Sequence, residues 1–329
     1  MNIRASIATA ALLKLTTVKL LEEPTTAYLM LQTESHCLAN CMFCPQAKES
    51  SSKLDKLSRV LWPSYNSLDV IKGFKENPSA FKRICIQTVR YQGSTKDLLS
   101  FLDELAEVKI SIPISVCSYP LSKQQFAQLK KLGVERIGIS FDCATEEIFE
   151  RVKGKSRGKN LSWLIMEKTL QKAVEIFGNT NVSTHLIVGL GETEREAITF
   201  LQSFHDRNIT IGLFAFTPIR GTSLEKCSPP NINSYRRIQL AHFLIRNNIS
   251  EINKMIFSNE GEISHYGLMK EELGNIINTG EPFKTSGCSN CNRPFYNESP
   301  GKEMYNFPRL PHEEEMITIR KNFDLNKKS

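Results

Sequence analysis

The chain has 329 residues, 40% of them hydrophobic and 23% charged, with Gly and Pro at ordinary levels; this supports a large buried core and excludes fibrous, collagen-like and low-complexity classes. A formal charge of +7 suits an acidic partner, but Lys and Arg are spread along the chain without interleaved aromatic residues, so solvated surface is the plain reading and nucleic acid is not expected. Nine cysteines without a secretion signal point to reduced thiols that bind metal or fill the core, not to disulfides.

The first 20 residues join a basic start to a short apolar run that Lys14 interrupts; this predicts an amphipathic helical extension over 1–25 and no signal peptide. Charge breaks every apolar run before it reaches bilayer length, so a cytoplasmic protein with no membrane attachment is expected. TAYLMLQT at 26–33 reads as a first strand, and polar sequence follows it as a loop through about 58. Further strands are predicted at 83–89, 110–116, 136–142, 181–191 and 211–219, and helices near 65–76, 95–107, 122–132, 162–177 and 193–207. Gly133 suits the C-terminal cap of the third of these helices. Apolar strands alternating with helices predict an α/β fold with a parallel sheet covered by helices, in which the loops after the strand C-termini carry the chemistry.

Six βα units make an incomplete barrel over 26–225. A segment at 226–280, with short strands near 255–258, is the candidate to complete it. Residues 281–329 are rich in Pro, Asn, Gly and aromatics, lack periodicity and read as an irregular tail with a short helix close to its end.

Chemistry concentrates just after the first strand. Cys37, Cys41 and Cys44 supply three soft thiolates within eight residues, which is what iron–sulfur clusters use. Three ligands for a four-iron cluster leave one iron open to a small molecule. Zinc held by the same cysteines and His36 is the rival, although this tight spacing without a nearby second pair is unusual for zinc. A second pair, Cys288 and Cys291, lies in the tail, while Cys85 and Cys117 fall within or at the ends of the second and third strands. Cys143 and Cys227 read as filler.

The C-x3-C-x-aromatic-C pattern after the first strand of a βα chain resembles the signature of the radical S-adenosylmethionine (SAM) superfamily. Cys44-Pro45-Gln46, HLIVGLGETE at 185–194 and ISFD at 139–142 are similar to biotin synthase and its relatives. The resemblance implies a partial (β/α)6 TIM-like barrel and a [4Fe–4S] cluster on Cys37, Cys41 and Cys44 that chelates and reductively cleaves SAM. It also implies that Phe43 lies against the adenine, that Ser140 and Asp142 meet the ribose hydroxyls, and that Ile187, Val188 and Gly189 support the adenine, with Glu192 closing their motif. QTVRYQGS at 87–94 departs from the usual methionine-binding segment, and backbone carbonyls near Thr88 are the substitute.

Cys85 and Cys117 resemble positions that hold the auxiliary, sulfur-donating cluster of biotin synthase. Ser183 stands where another cysteine ligand is expected, however, and KMIFSNEG at 254–261 lacks the matching Arg. This argues against biotin synthase itself, and the tail pair is expected to replace the lost ligands, giving a second Fe–S cluster on Cys85, Cys117, Cys288 and Cys291. CNRPFYNESPG followed by YNFPR resembles a subunit of the two-component lipoyl synthases. That likeness implies sulfur insertion into an octanoylated lipoyl-carrier protein, a second radical SAM subunit, and an electron donor such as ferredoxin. One-cluster radical SAM chemistry and a non-catalytic metal-binding partner protein are the alternatives.

Overall fold

The computed structural model describes residues 1–154, 161–298 and 301–323. The chain opens with strand β1 (Asn2–Ala5), helix α1 (Ile7–Leu12) and strand β2 (Thr26–Leu31), and the long loop after β2 carries two two-residue strands, β3 (Lys56–Leu57) and β4 (Val60–Leu61). Next come β5 (Ser64–Asn66) and α2 (Ser67–Glu76), then β6 (Arg83–Gln87), α3 (Ser94–Glu107), β7 (Ile114–Ser118), α4 (Lys123–Lys131), β8 (Val134–Ile139), α5 (Glu146–Val152) and α6 (Trp163–Phe177). The alternation ends with β9 (Val182–Val188), α7 (Glu194–Asp206), β10 (Thr210–Ala215) and α8 (Ile232–Arg246), followed by the hairpin β11 (Ile256–Phe257) and β12 (Ile263–His265), α9 (Lys270–Asn278) and α10 (Glu313–Asn322).

Strands β2, β6, β7, β8, β9 and β10 pair in parallel in that spatial sequence. This is the partial six-unit barrel that the alternation predicts; it does not close, because β2 and β10 are not paired. All six residues of β2 are buried, as expected of a strand covered on both faces. Behind β8, the rings of Phe141, Phe149, Trp163, Phe200 and Phe204 lie edge to face and stacked, with centroids as close as 4.2 Å. They lock α5, α6 and α7 onto the sheet.

Three expectations are corrected. Residues 1–25 are helical only over α1: β1 pairs antiparallel with β2 and with β5, so the chain start adds one strand to the sheet and joins β5 to it. The third parallel strand begins at Ile114 rather than 110, because Pro113 has no N–H for the ladder, although its carbonyl accepts from Ile84 N. The 255–258 segment does not extend the barrel; among the described residues β11 pairs only with β12.

The tail spans the open seam. On the β10 side Leu213 N donates to Ser286 Oγ (3.0 Å) and Asn297 Nδ2 donates to Ala215 O (2.8 Å). On the β2 side Thr25 N donates to Asn292 Oδ1 (2.9 Å) and Arg293 N donates to Tyr28 Oη (3.0 Å). On the β10 edge, which pairs with β9 alone, this irregular segment thus satisfies backbone groups that an unpaired strand edge leaves open. Part of the expected closing helix, 324–329, lies outside the described residues.

Candidate functional site

A cavity of about 250 Å³ runs down the barrel axis from the loops after the parallel strands to the strand interiors, and seven cysteines line it: Cys37, Cys41, Cys44, Cys85, Cys117, Cys288 and Cys291. The loop after β2 places the first three. Cys37 N donates to Gln46 O (2.7 Å) and Cys44 N to Cys41 O (3.1 Å), folding 37–46 into a compact turn. Gln46 Nε2 then donates to Leu54 O and Lys56 O, tying that turn to the β3–β4 hairpin. Burial pushes the Cys41 thiol up to about 12, against the pull of Lys153. Burial, with repulsion from Cys41 and Cys37, also pushes Cys44 up. Such thiols stay protonated unless a cation displaces the proton, which a metal cluster does.

The other four cysteines sit deeper. Cys85 on β6 and Cys117 on β7 share a hydrogen bond that draws the Cys117 thiol well down and holds Cys85 up. Cys288 and Cys291 act electrostatically on Cys85, and burial raises Cys288. The tail therefore brings its pair to the strand pair. Gly138 makes room for this group: a Cβ there would stand 3.0 Å from Cys117 Sγ and 3.3 Å from Ser183 Oγ. Ser183 does face the cavity, but as a hydroxyl.

Among the described residues, no three His, Cys, Asp or Glu side chains are gathered as ligands of a metal ion; the thiols are distributed around the cavity wall. His36 is not part of that wall, and its Nδ1 is buried without a partner. Cys143 is fully buried in the core and Cys227 is exposed.

Of the residues expected at the nucleoside, Phe43, Ser140, Asp142 and Ile187 line the cavity. Asp142 adopts a left-handed backbone (φ 67°), tolerated by Asp, while its N–H donates to His185 O and its carbonyl accepts from Ile187 N, joining β8 to β9. Its Oδ2 accepts from Lys153 Nζ at 2.6 Å, so one carboxylate oxygen is already committed. Ser140 Oγ bonds His185 Nδ1 (2.9 Å), and His185 in turn supports Cys117. Val188, Gly189 and Glu192 do not line the cavity. Val188 packs in the core, and the Glu192 carboxylate accepts from Gly189 N and Leu190 N, which shapes the loop. Of these four residues, Ile187 lines the cavity. Thr88 lines the cavity, with its N–H and Oγ1 both donating to Cys117 O.

The 34–204 segment matches the radical SAM superfamily profile. The chain belongs to the radical SAM superfamily. The radical SAM chain is 24% identical over 250 residues to a biotin synthase of Sulfurihydrogenibium sp. (strain YO3AOP1), covering 74% of this chain and 70% of that protein. It is 25% identical over 195 residues to a biotin synthase of Streptococcus agalactiae serotype III (strain NEM316), covering 58% and 55%. In fold it resembles the FeFe-hydrogenase maturase HydG from Carboxydothermus hydrogenoformans, with a TM-score of 0.53 at 16% identity over 68% of this chain and 51% of that one. Family membership implies a [4Fe–4S] cluster and SAM. Buried, mutually repelling thiols on a single turn suit such a cluster.

Lys153, Tyr28 and Tyr119 carry no sequence signature; with His185 and Arg293 they reach the cavity from separate parts of the chain, and only the fold brings them together.

Proposed function

We propose that this radical SAM enzyme inserts sulfur into an unactivated C–H bond, in the manner of lipoyl synthases, using an octanoylated lipoyl-carrier protein as substrate. When bound, the cofactors supply the electron, the 5′-deoxyadenosyl radical and the sulfur. The observation that carries this reading is the single cavity with Cys37, Cys41 and Cys44 on its loop side and Cys85, Cys117, Cys288 and Cys291 on its deeper wall. The first group is assigned to the SAM cluster and the second to an auxiliary Fe–S cluster.

The chain's own residues bind, orient and exclude water. Phe43 and Ile187 offer apolar faces beside the turn, and the free oxygen of Asp142 is placed for a ribose hydroxyl. Lys153, which also lines the cavity, balances the Asp142 charge. Trp62, Met30, Val89 and Phe216 make the remaining wall largely apolar, which suits an aliphatic chain and keeps water from reactive species. A ferredoxin-like electron donor and a second radical SAM subunit belong to the same proposal, and the +7 charge favours an acidic carrier domain.

Anaerobic reconstitution with iron and sulfide counting tests it. A Cys37→Ala/Cys41→Ala/Cys44→Ala variant is expected to keep about four irons per chain and to lose them when Cys288→Ala and Cys291→Ala are added. A triple variant that binds no iron would remove the sulfur donor and leave one-cluster radical SAM chemistry.

A further inference from the structure

The Cys37 sulfur receives hydrogen bonds from three directions. Ala39 N and Arg90 N each approach it at 3.3 Å, and Tyr119 Oη lies 3.3 Å away. Cys44, by contrast, takes a backbone hydrogen bond from Gln46, and Cys41 takes one from its own peptide. A thiolate on iron has no proton to give, so the Tyr119 hydroxyl must be the donor. Tyr119 leaves the end of β7, next to the Ser122 cap of α4, and packs with Met30, Cys37, Cys41 and Val89. Its donation therefore comes from a fixed direction in a weakly screened environment, where a hydrogen bond to an anion is strong.

We propose that Tyr119 is a positioning residue that sets the reduction potential of the SAM cluster through Cys37. Adding an electron makes the cluster sulfurs more negative, so a fixed O–H donor stabilises the reduced form more than the oxidised form. The two peptide donors can be removed only by proline, which would also reshape the backbone, whereas this one is removed by a single conservative side-chain change. The inference requires Cys37, Cys41 and Cys44 to be the cluster ligands and is independent of sulfur insertion.

The test is an EPR-monitored redox titration of the reconstituted full-length protein with iron counted, following the signal that changes when SAM is added. Tyr119→Phe is expected to keep its iron and to lower the reduced-to-oxidised ratio at a given potential about tenfold, a shift of about 59 mV to more negative values for a one-electron couple. Site-specific 3-fluorotyrosine at position 119 keeps the shape and strengthens the donor, so it shifts the midpoint the other way, and it serves if the Phe variant loses its cluster. Tyr28→Phe, which removes the hydroxyl beside Cys291 Sγ (3.3 Å), leaves this midpoint in place. Unchanged midpoints in both Tyr119 proteins, or an equal shift in Tyr28→Phe, overturn the proposal. A SAM-responsive signal that survives Cys37→Ala overturns both the proposal and the ligand assignment beneath it.

Discussion

Lys153 and Asp142 form an ion pair at 2.6 Å with both side chains nearly withdrawn from solvent. Burial is the largest single effect and would lower the Lys153 pKa, but Asp142, with Cys41 and Cys143, outweighs it and holds the ammonium above its ordinary value. The pair is maintained by its partners rather than by water, and Lys153 Nζ also donates to Ser140 O. Removing one member strands the other charge, so Lys153→Met is expected to cost about 3–5 kcal/mol in urea unfolding. Lys153→Met combined with Asp142→Asn should recover part of that loss, and additive costs would show that the two do not act as a pair. His242, buried in α8, behaves oppositely: burial, then repulsion from Arg246 and His205, lowers its pKa from 6.5 to about 3. The folded protein keeps this ring neutral while the unfolded chain protonates below 6.5. The associated stability is full above pH 6.5 and is lost as pH falls toward 3, by about 2 kcal/mol at pH 5. His242→Leu should flatten that part of the urea-midpoint profile, and a profile unchanged by the substitution would place the acid sensitivity elsewhere.

Between elements, the loop after β10 clamps the segment that follows the cysteine turn. Ser51 N (2.9 Å) and Ser50 Oγ (3.0 Å) donate to Gly221 O, and Ser52 Oγ donates to Arg220 O. Gly221 has φ +88°, and a Cβ there would stand 2.6 Å from Ser52 N. Gly221→Ala must therefore push 50–52 away, at about 1–3 kcal/mol, and should lower both the melting temperature and the iron retained at the neighbouring cysteine turn. Wild-type iron with a lowered melting temperature would show that the clamp supports the fold but not the turn. The six parallel strands were legible because doubly covered strands read as apolar runs, and the Cys37–Cys44 turn was legible because its ligands are neighbours in sequence. Strand β1 was not, because four residues containing Arg4 become a strand only by pairing with β2 and β5. Tyr119 and Lys153 were not, because neither has a local pattern; each meets the cysteines only after β7 and α5 are in place.

At the scale of the molecule, the six parallel strands do not close, since β10 has a free edge while β2 carries β1 on its other side, and the Ser286–Asn297 segment bridges from β10 to the start of β2. Asn292 is its anchor on one side, accepting from Thr25 N and donating to Glu23 O (2.9 Å). Asn297 is the anchor on the other, donating to Ala215 O. Arg293 lies between them, its guanidinium 3.8 Å from the Phe214 ring centroid and donating to Ser286 O (2.7 Å). The bridge holds Cys288 and Cys291 against the cavity, so the geometry of the deeper thiol group depends on a segment with no regular ladder of its own. Such segments open below the global unfolding free energy. Each anchoring hydrogen bond is worth about 1 kcal/mol net, so Asn292→Ala/Asn297→Ala should speed amide exchange across 285–297 by about tenfold or more, with the six parallel strands unchanged. Mass-spectrometric hydrogen exchange resolves the two regions. Faster exchange throughout would make the bridge part of the global fold. Unchanged exchange would mean that the Arg293–Phe214 contact, rather than the two asparagines, closes the seam.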